Sequence, residues 1–282
     1  MTEKKKNFIL RTATGVVFVA VMVGCMLNAY AFILLFAVIT GLAIWEYCGL
    51  VNKYDDIQVN QFISTIAGVY LFLAMAGYCT GITPGTVFIP YLITVLYLII
   101  SELFTKAPNP LNNWAYAMLS QMYIALPLST INILAFQTST TSTFNSVLPL
   151  SVFVFLWVND TGAYCSGSLF GRHKLFPRVS PGKSWEGSIG GALFVMIAAA
   201  ITGYLTAEGS NAISIPVWIG LGLVVVVFGT LGDLVESLFK RTIGVKDSGN
   251  ILPGHGGMLD RFDSSLMAIP ASVIYIYTIS IL

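Results

Sequence analysis

Apolar residues in this chain come in long continuous runs rather than in the strict alternation of a membrane β-barrel. A helix needs about 20 mostly apolar residues to cross a hydrocarbon core roughly 30 Å thick. Divided on that scale, the sequence predicts nine membrane helices with approximate limits 12–28, 30–48, 62–81, 87–104, 114–136, 147–168, 188–207, 215–238 and 264–282. Turn-forming residues separate them: 52–60, Thr83-Pro84-Gly85, Ala107-Pro108-Asn109-Pro110 and the Ser/Thr-rich stretch 138–146. The expected fold class is therefore all-α, a polytopic integral membrane protein of about nine transmembrane helices joined by short loops.

Composition agrees with that pattern. Of 282 residues, 56% are hydrophobic and 10% are charged, whereas soluble domains carry about 25% charged residues. An ordinary cytosolic enzyme, a disordered chain and a nucleic-acid binder are thereby excluded. Four cysteines make no disulfide framework in a chain of this length. All 14 Lys and Arg fall in the N-terminus and the even-numbered connections. The positive-inside rule then predicts a cytoplasmic N-terminus and, with an odd span count, a C-terminus on the outer side. Lys4–Lys6 and Ala29-Tyr30-Ala31 imitate a secretory signal, but another apolar span follows at once, so the first helix is read as retained.

Chemistry is unevenly distributed. The first five spans hold almost no polar groups, and residues 157–263 hold most of them. Residues 1–146 are read as a membrane scaffold of about five helices. Residues 147–282 are read as a catalytic membrane domain of about four helices with two cytoplasmic active-site loops. Charges at membrane depth are costly and need a reason. Asn159-Asp160, Asp233, Glu236, Asp260 and Asp263 stand out on that ground. Asp233, Glu236 and Lys240 share one helix face by spacing, as do Asp260 and Asp263 if that segment is helical. The plain alternative is that these acids pair with Lys240, Arg241 or Arg261.

The connections 170–187 and 240–263 add Arg172, Lys174, Arg178, Lys183, Lys240, Arg241, Lys246 and Arg261 among several glycines. Carboxylates, cations and open backbone N–H groups together suit a polyphosphate held with a divalent metal. Gly182-Lys183-Ser184 is not a P-loop, because the first glycine of that motif would fall at Pro177. His173 and His255 lack partners at zinc spacing. His255, between Gly254 and Gly256-Gly257, either marks a close backbone approach to a ligand or only shapes a turn.

The stretch SLFKRTIGVKDSGNILPGHGGMLDRFD, 237–263, closely resembles the signature of the phosphatidate cytidylyltransferases (CDP-diacylglycerol synthases). The agreement runs through Ser237, Lys240-Arg241, Lys246-Asp247, Pro253, His255-Gly256-Gly257, Asp260-Arg261 and Asp263. The segment 157–191 resembles the family's second block, with Gly182 where a Lys is expected and Ser184 in place of Thr.

The resemblance implies an all-helical membrane enzyme, commonly a homodimer, in a bacterial cytoplasmic membrane. It would make CDP-diacylglycerol and pyrophosphate from CTP and phosphatidate with Mg²⁺, leaving room for a second cation. On this reading Asp233, Asp260 and Asp263 bind the metal, and with Lys240 and Arg241 they form the catalytic set. Lys183, Ser180, Asp160, Asn159, Glu236, Lys246, His255, Gly256, Gly257 and Arg261 are expected to contact substrates. The rival reading is an ion-coupled transporter with intramembrane carboxylates.

Overall fold

A computed structural model of the chain describes residues 3–137, 143–207, 213–251, 254 and 256–281, with the backbone alone for 3–11, 280 and 281. Among the described residues ten α-helices follow in order: α1 (Glu3–Met26), α2 (Ala29–Val51), α3 (Gln61–Cys79), α4 (Ile89–Ser101), α5 (Pro110–Leu119), α6 (Leu126–Ala135), α7 (Val147–Phe170), α8 (Trp185–Leu205), α9 (Ile215–Ile243) and α10 (Leu259–Ile281). Two short antiparallel ribbons interrupt them, β1 (Phe136–Gln137) with β2 (Thr143–Phe144) and β3 (Lys174–Phe176) with β4 (Ser180–Ser184). A π-helical turn, Ser120–Ala125, joins α5 to α6. Pro127 follows it and lacks the N–H that would bond back to Tyr123.

Seven helices are long and apolar enough to cross a bilayer: Ala29–Val51, Gln61–Cys79, Pro110–Ala135, Val147–Phe170, Trp185–Leu205, Ile215–Ile243 and Leu259–Ile279. The first and fourth expected spans coincide with shorter apolar helices, Thr12–Met26 and Gly85–Ser101. The protein is therefore all-α and polytopic, and among the described residues seven crossings are supported by length and composition.

The chain divides into two compact units, Met1–Ser146 with Ile243–Phe262, and Val147–Thr242 with Asp263–Leu282. In the first, α2 packs extensively on α3 around an aromatic core. Phe32 and Phe36 lie 4.9 Å apart by ring centroid, and Phe36 meets Phe262 edge-on at 6.2 Å. Asparagines cap the helix starts, where N–H groups lack partners. Asn28 accepts from Tyr30 N and Ala31 N, Asn60 from Ile63 N, and Asn109 from Asn112 N.

The first unit buries polar side chains as well as apolar ones. Buried Gln121 donates to the Ser64 carbonyl at 2.9 Å, and buried Asn113 accepts from Gln58 N at 2.8 Å while donating to Glu102 Oε2 at 3.0 Å. Glu46, 8% exposed, also belongs to this unit.

In the second unit α7 packs mainly on α8. The buried residues of α8 are Gly187, Gly191, Val195, Ala199 and Gly203, one every four positions. Bulky Leu193, Phe194, Ile197 and Ile201 point outward. Small residues inward and large apolar ones outward is the inverse of a soluble helix and suits lipid as the surrounding solvent. A Cβ on Gly191 would sit 2.9 Å from the Asn159 carbonyl oxygen, and one on Gly187 2.9 Å from that of Ala163, so these glycines set the separation of the two helices.

Candidate active site

Within the second unit, α9 and α10 cross at Gly232. A Cβ there would lie 2.7 Å from the Asp263 carbonyl oxygen and 3.1 Å from Ser264 Cα. This closeness brings Asp233 into the neighbourhood of Asp263, whose carboxylate is repelled by Asp233 and Asp160 and attracted by Lys240. Lys183 Nζ lies 2.5 Å from Asp233 Oδ2, and Ser237 Oγ donates to Asp233 Oδ1 at 3.1 Å. Lys240 Nζ lies 2.5 Å from Glu236 Oε2, an (i, i+4) pair in which Glu236 is fully buried. The plain ion-pair reading therefore holds for Glu236 and Lys240, whereas Lys183 reaches Asp233 from a different element.

Lys183 is presented by the β3–β4 ribbon, a hairpin within the connection 170–187. Its register pairs Lys174 with Ser184 and Phe176 with Ser180. Ser184 then caps α8 by accepting from Gly187 N at 3.1 Å. Ser180 opens β4 and is half-buried. Glu186 accepts from Arg172 N and His173 N at 3.2 Å and lies 2.6 Å from His173 Nδ1, which ties the turn before β3 to the start of α8.

A cavity of ≈ 440 Å³ opens beside this hairpin, lined by Asn159, Asp160, Lys183, Ser184 and Thr230 among others. Hydroxyls, an acid and an ammonium on glycine-thinned walls are surroundings that suit a polar, phosphorylated ligand. Asn159 is buried, its Oδ1 has no hydrogen-bond donor, and it faces Gly191.

The signature segment 243–262 belongs to the first unit. Asp260 is 9% exposed, and its Oδ2 accepts from Ser248 N and Gly257 N, both at 2.8 Å. Gly256 has φ +86°, and a Cβ on it would meet Asp260 Oδ2 at 2.6 Å, so a side chain is excluded by both conformation and space. Gly256 lies against the carboxylate of Asp260, and Gly257 against that of Glu46. Arg241, Lys246 and Arg261 are exposed. His255 lies outside the described residues.

Glu46 is the residue that sequence reasoning missed. It accepts from Met258 N and Leu259 N, both at 2.9 Å, and from Ser248 Oγ at 3.1 Å. Its signal was available: it is the one acid in the apolar run Ala29–Val51, and a charge at that depth calls for a partner.

Among the described residues, no three His, Cys, Asp or Glu side chains form a metal-binding group. Mg²⁺, however, is commonly held by one or two carboxylates plus substrate phosphates. Asp233 and Asp263 are hard oxygen donors whose mutual repulsion a divalent cation would offset, so this pair fits such an ion. The structure brings together Asp160, Lys183, Asp233, Lys240 and Asp263 in the second unit, while Asp260, Gly256 and Gly257 are organised within the first.

Residues 9–279 match the profile of the Cytidylyltransferase family. The chain is 33% identical over 264 residues to a phosphatidate cytidylyltransferase of Staphylococcus aureus strain COL, covering 93% of this chain and 96% of that protein. It is 34% identical over 256 residues to a phosphatidate cytidylyltransferase of Haemophilus influenzae, covering 86% and 88%. A protein of the same name from Staphylococcus epidermidis is 31% identical over 264 residues.

Proposed function

We propose, because this chain belongs to the cytidylyltransferase family, that it transfers the CMP moiety of CTP to phosphatidate, giving CDP-diacylglycerol and pyrophosphate for phospholipid synthesis. The observation that carries this reading is the pairing of Lys183 with Asp233 beside Asp263, next to the cavity that Asn159, Asp160 and Lys183 line. Those are the groups needed to bring two phosphates together. An oxygen of the phosphatidate phosphate attacks the α-phosphorus of CTP, and the bond to the β-phosphate oxygen breaks. A phosphate monoester is already anionic near neutral pH, its second pKa being about 6, so no strong general base is required. The obstacle is repulsion between anions, and catalysis is positioning plus electrostatic stabilisation.

Asp233 and Asp263 would hold Mg²⁺, with Asp260, three residues earlier on α10, as a further ligand. Bound there, the ion would neutralise charge on the CTP phosphates. Lys183, once drawn from Asp233 toward the triphosphate, would neutralise more of it, with Lys240, Arg241 and Arg261 as further cations. Asn159, Asp160 and Ser180 would line the nucleotide's approach.

The reading includes nine membrane crossings, a cytoplasmic N-terminus, an outer C-terminus, a bacterial cytoplasmic membrane and a homodimer, with the chemistry concentrated in 147–282. Bacterial relatives and the segregation of basic residues support the membrane and the orientation. Neither the family nor the relatives favour a transporter. Purified protein supplied with CTP and phosphatidate should release pyrophosphate and form CDP-diacylglycerol only when a divalent cation is present. Turnover undiminished by a chelator would refute the metal assignment, and no product under any condition would refute the reaction.

A further inference from the structure

Glu46 and the start of α10 are more than 200 residues apart in sequence, yet hydrogen bonds join them. Both oxygens of Glu46 are engaged. Oε1 accepts from Met258 N, and Oε2 accepts from Leu259 N and Ser248 Oγ. The two N–H groups belong to the first turn of α10 and the residue before it, where helical donors lack partners and the helix dipole favours an anion. Ser248 passes the restraint on. Its hydroxyl accepts from Asp260 N at 3.3 Å while its own N–H donates to Asp260 Oδ2 at 2.8 Å. Asp260 is thus locked by two backbone donors, Ser248 N and Gly257 N, and one of the two is on the residue that Glu46 holds.

Space around the knot is fully used. A Cβ on Gly249 would lie 2.5 Å from Glu46 Oε1, and one on Gly257 would collide with Glu46 Oε2 and Ser248 Oγ. Glu46, Ser248 and Asp260 are each at most 9% exposed. Among the described residues no basic side chain pairs with Glu46. A carboxylate is nevertheless required, because three donors converge on it and a carboxamide would turn its own NH₂ against one of them.

We infer that Glu46 is a positioning residue for the reaction: from helix α2 it fixes Ser248 and the start of α10 at Met258 and Leu259, and through Ser248 it sets the carboxylate of Asp260. The inference rests on the proposed role of Asp260 as a ligand. Groups that orient metal ligands without touching the ion alter affinity or activity by about 10–100-fold when removed.

The test compares full-length wild type, Glu46→Gln and Ser248→Ala in detergent. Mn²⁺ affinity is measured without substrates by electron paramagnetic resonance, alongside kcat, KM and the thermal midpoint. Glu46→Gln should weaken Mn²⁺ binding about 10-fold and lower kcat about 10–100-fold. The KM for CTP should stay within about 3-fold, the pattern of an interaction that acts in the transition state. Ser248→Ala should move both quantities in the same direction by about 5-fold, a smaller share of the same effect. Folded Glu46→Gln with unaltered Mn²⁺ affinity and kcat overturns the inference. If that variant does not fold, Ser248→Ala decides, and wild-type values there overturn it equally. A wild type that makes no CDP-diacylglycerol refutes the reaction instead, and the Mn²⁺ comparison still judges Glu46.

Discussion

Asp233 and Asp260 are the same side chain held in opposite ways. Asp233 is half-exposed, and its partners are a lysine ammonium and a hydroxyl on flexible side chains. Asp260 is buried, and its Oδ2 accepts from two backbone N–H groups. A side-chain ammonium can move to an arriving phosphate, while a backbone N–H cannot leave without unfolding the loop. The first arrangement suits exchange of partners during a reaction. The second suits holding one geometry throughout.

The largest effect that tests this contrast is expected at Asp233. Asp233→Asn should cut CDP-diacylglycerol formation by about 10³-fold, the upper range for losing one electrostatic group at a reacting centre. Its thermal midpoint should stay close to wild type. Asp260→Ala should lose both turnover and stability, since each buried N–H left without an acceptor costs about 1–3 kcal/mol. Equal thermal midpoints for the two variants would erase the distinction.

Next in size is the Glu236–Lys240 pair. Lys240→Met alone removes the ammonium beside a fully buried carboxylate and should destabilise the protein by about 3 kcal/mol. Glu236→Gln combined with Lys240→Met should recover most of that loss, as measured by chemical unfolding in detergent. Recovery of stability without recovery of turnover would assign Lys240 a role at the phosphates beyond its ion pair.

Lys183→Ala should raise the KM for CTP about 10-fold, worth about 1.4 kcal/mol, with a smaller change in kcat. The smallest effect is expected at His173. Its side chain is 80% exposed, and an ion pair at the surface is screened by water and salt. His173→Ala should leave turnover and thermal midpoint within error, and a larger loss would show that the turn before β3 takes part in catalysis.

Spans were legible in the sequence because mean hydropathy (+0.81 overall) changes sharply at Pro, Gly and Asn clusters. Their lengths were less so, since the N-terminal run and the run at 85–101 are short. The proximity of Asp233 and Asp263 was legible in part, through charges placed at membrane depth on predicted helices. The β3–β4 hairpin was hidden by Pro177, Pro181 and Gly182, which read as loop although the turn and the cap at Ser184 are built from that same stretch. Glu46 escaped for a different reason. Its partners, two backbone N–H groups and the Ser248 hydroxyl, lie more than 200 positions away, and backbone donors leave no mark in a sequence. The same holds for Gly256 and Gly257, whose requirement was evident but whose neighbours, two carboxylates of the protein itself, were not.

The segment Ile243–Phe262 folds with the N-terminal unit although it is flanked on both sides by the other. A gene cut between residues 146 and 147 would therefore give a C-terminal piece that carries the whole signature but lacks the anchor that shapes it. Such a fragment expressed alone should be inert, and co-expression of its missing half should be needed to restore function.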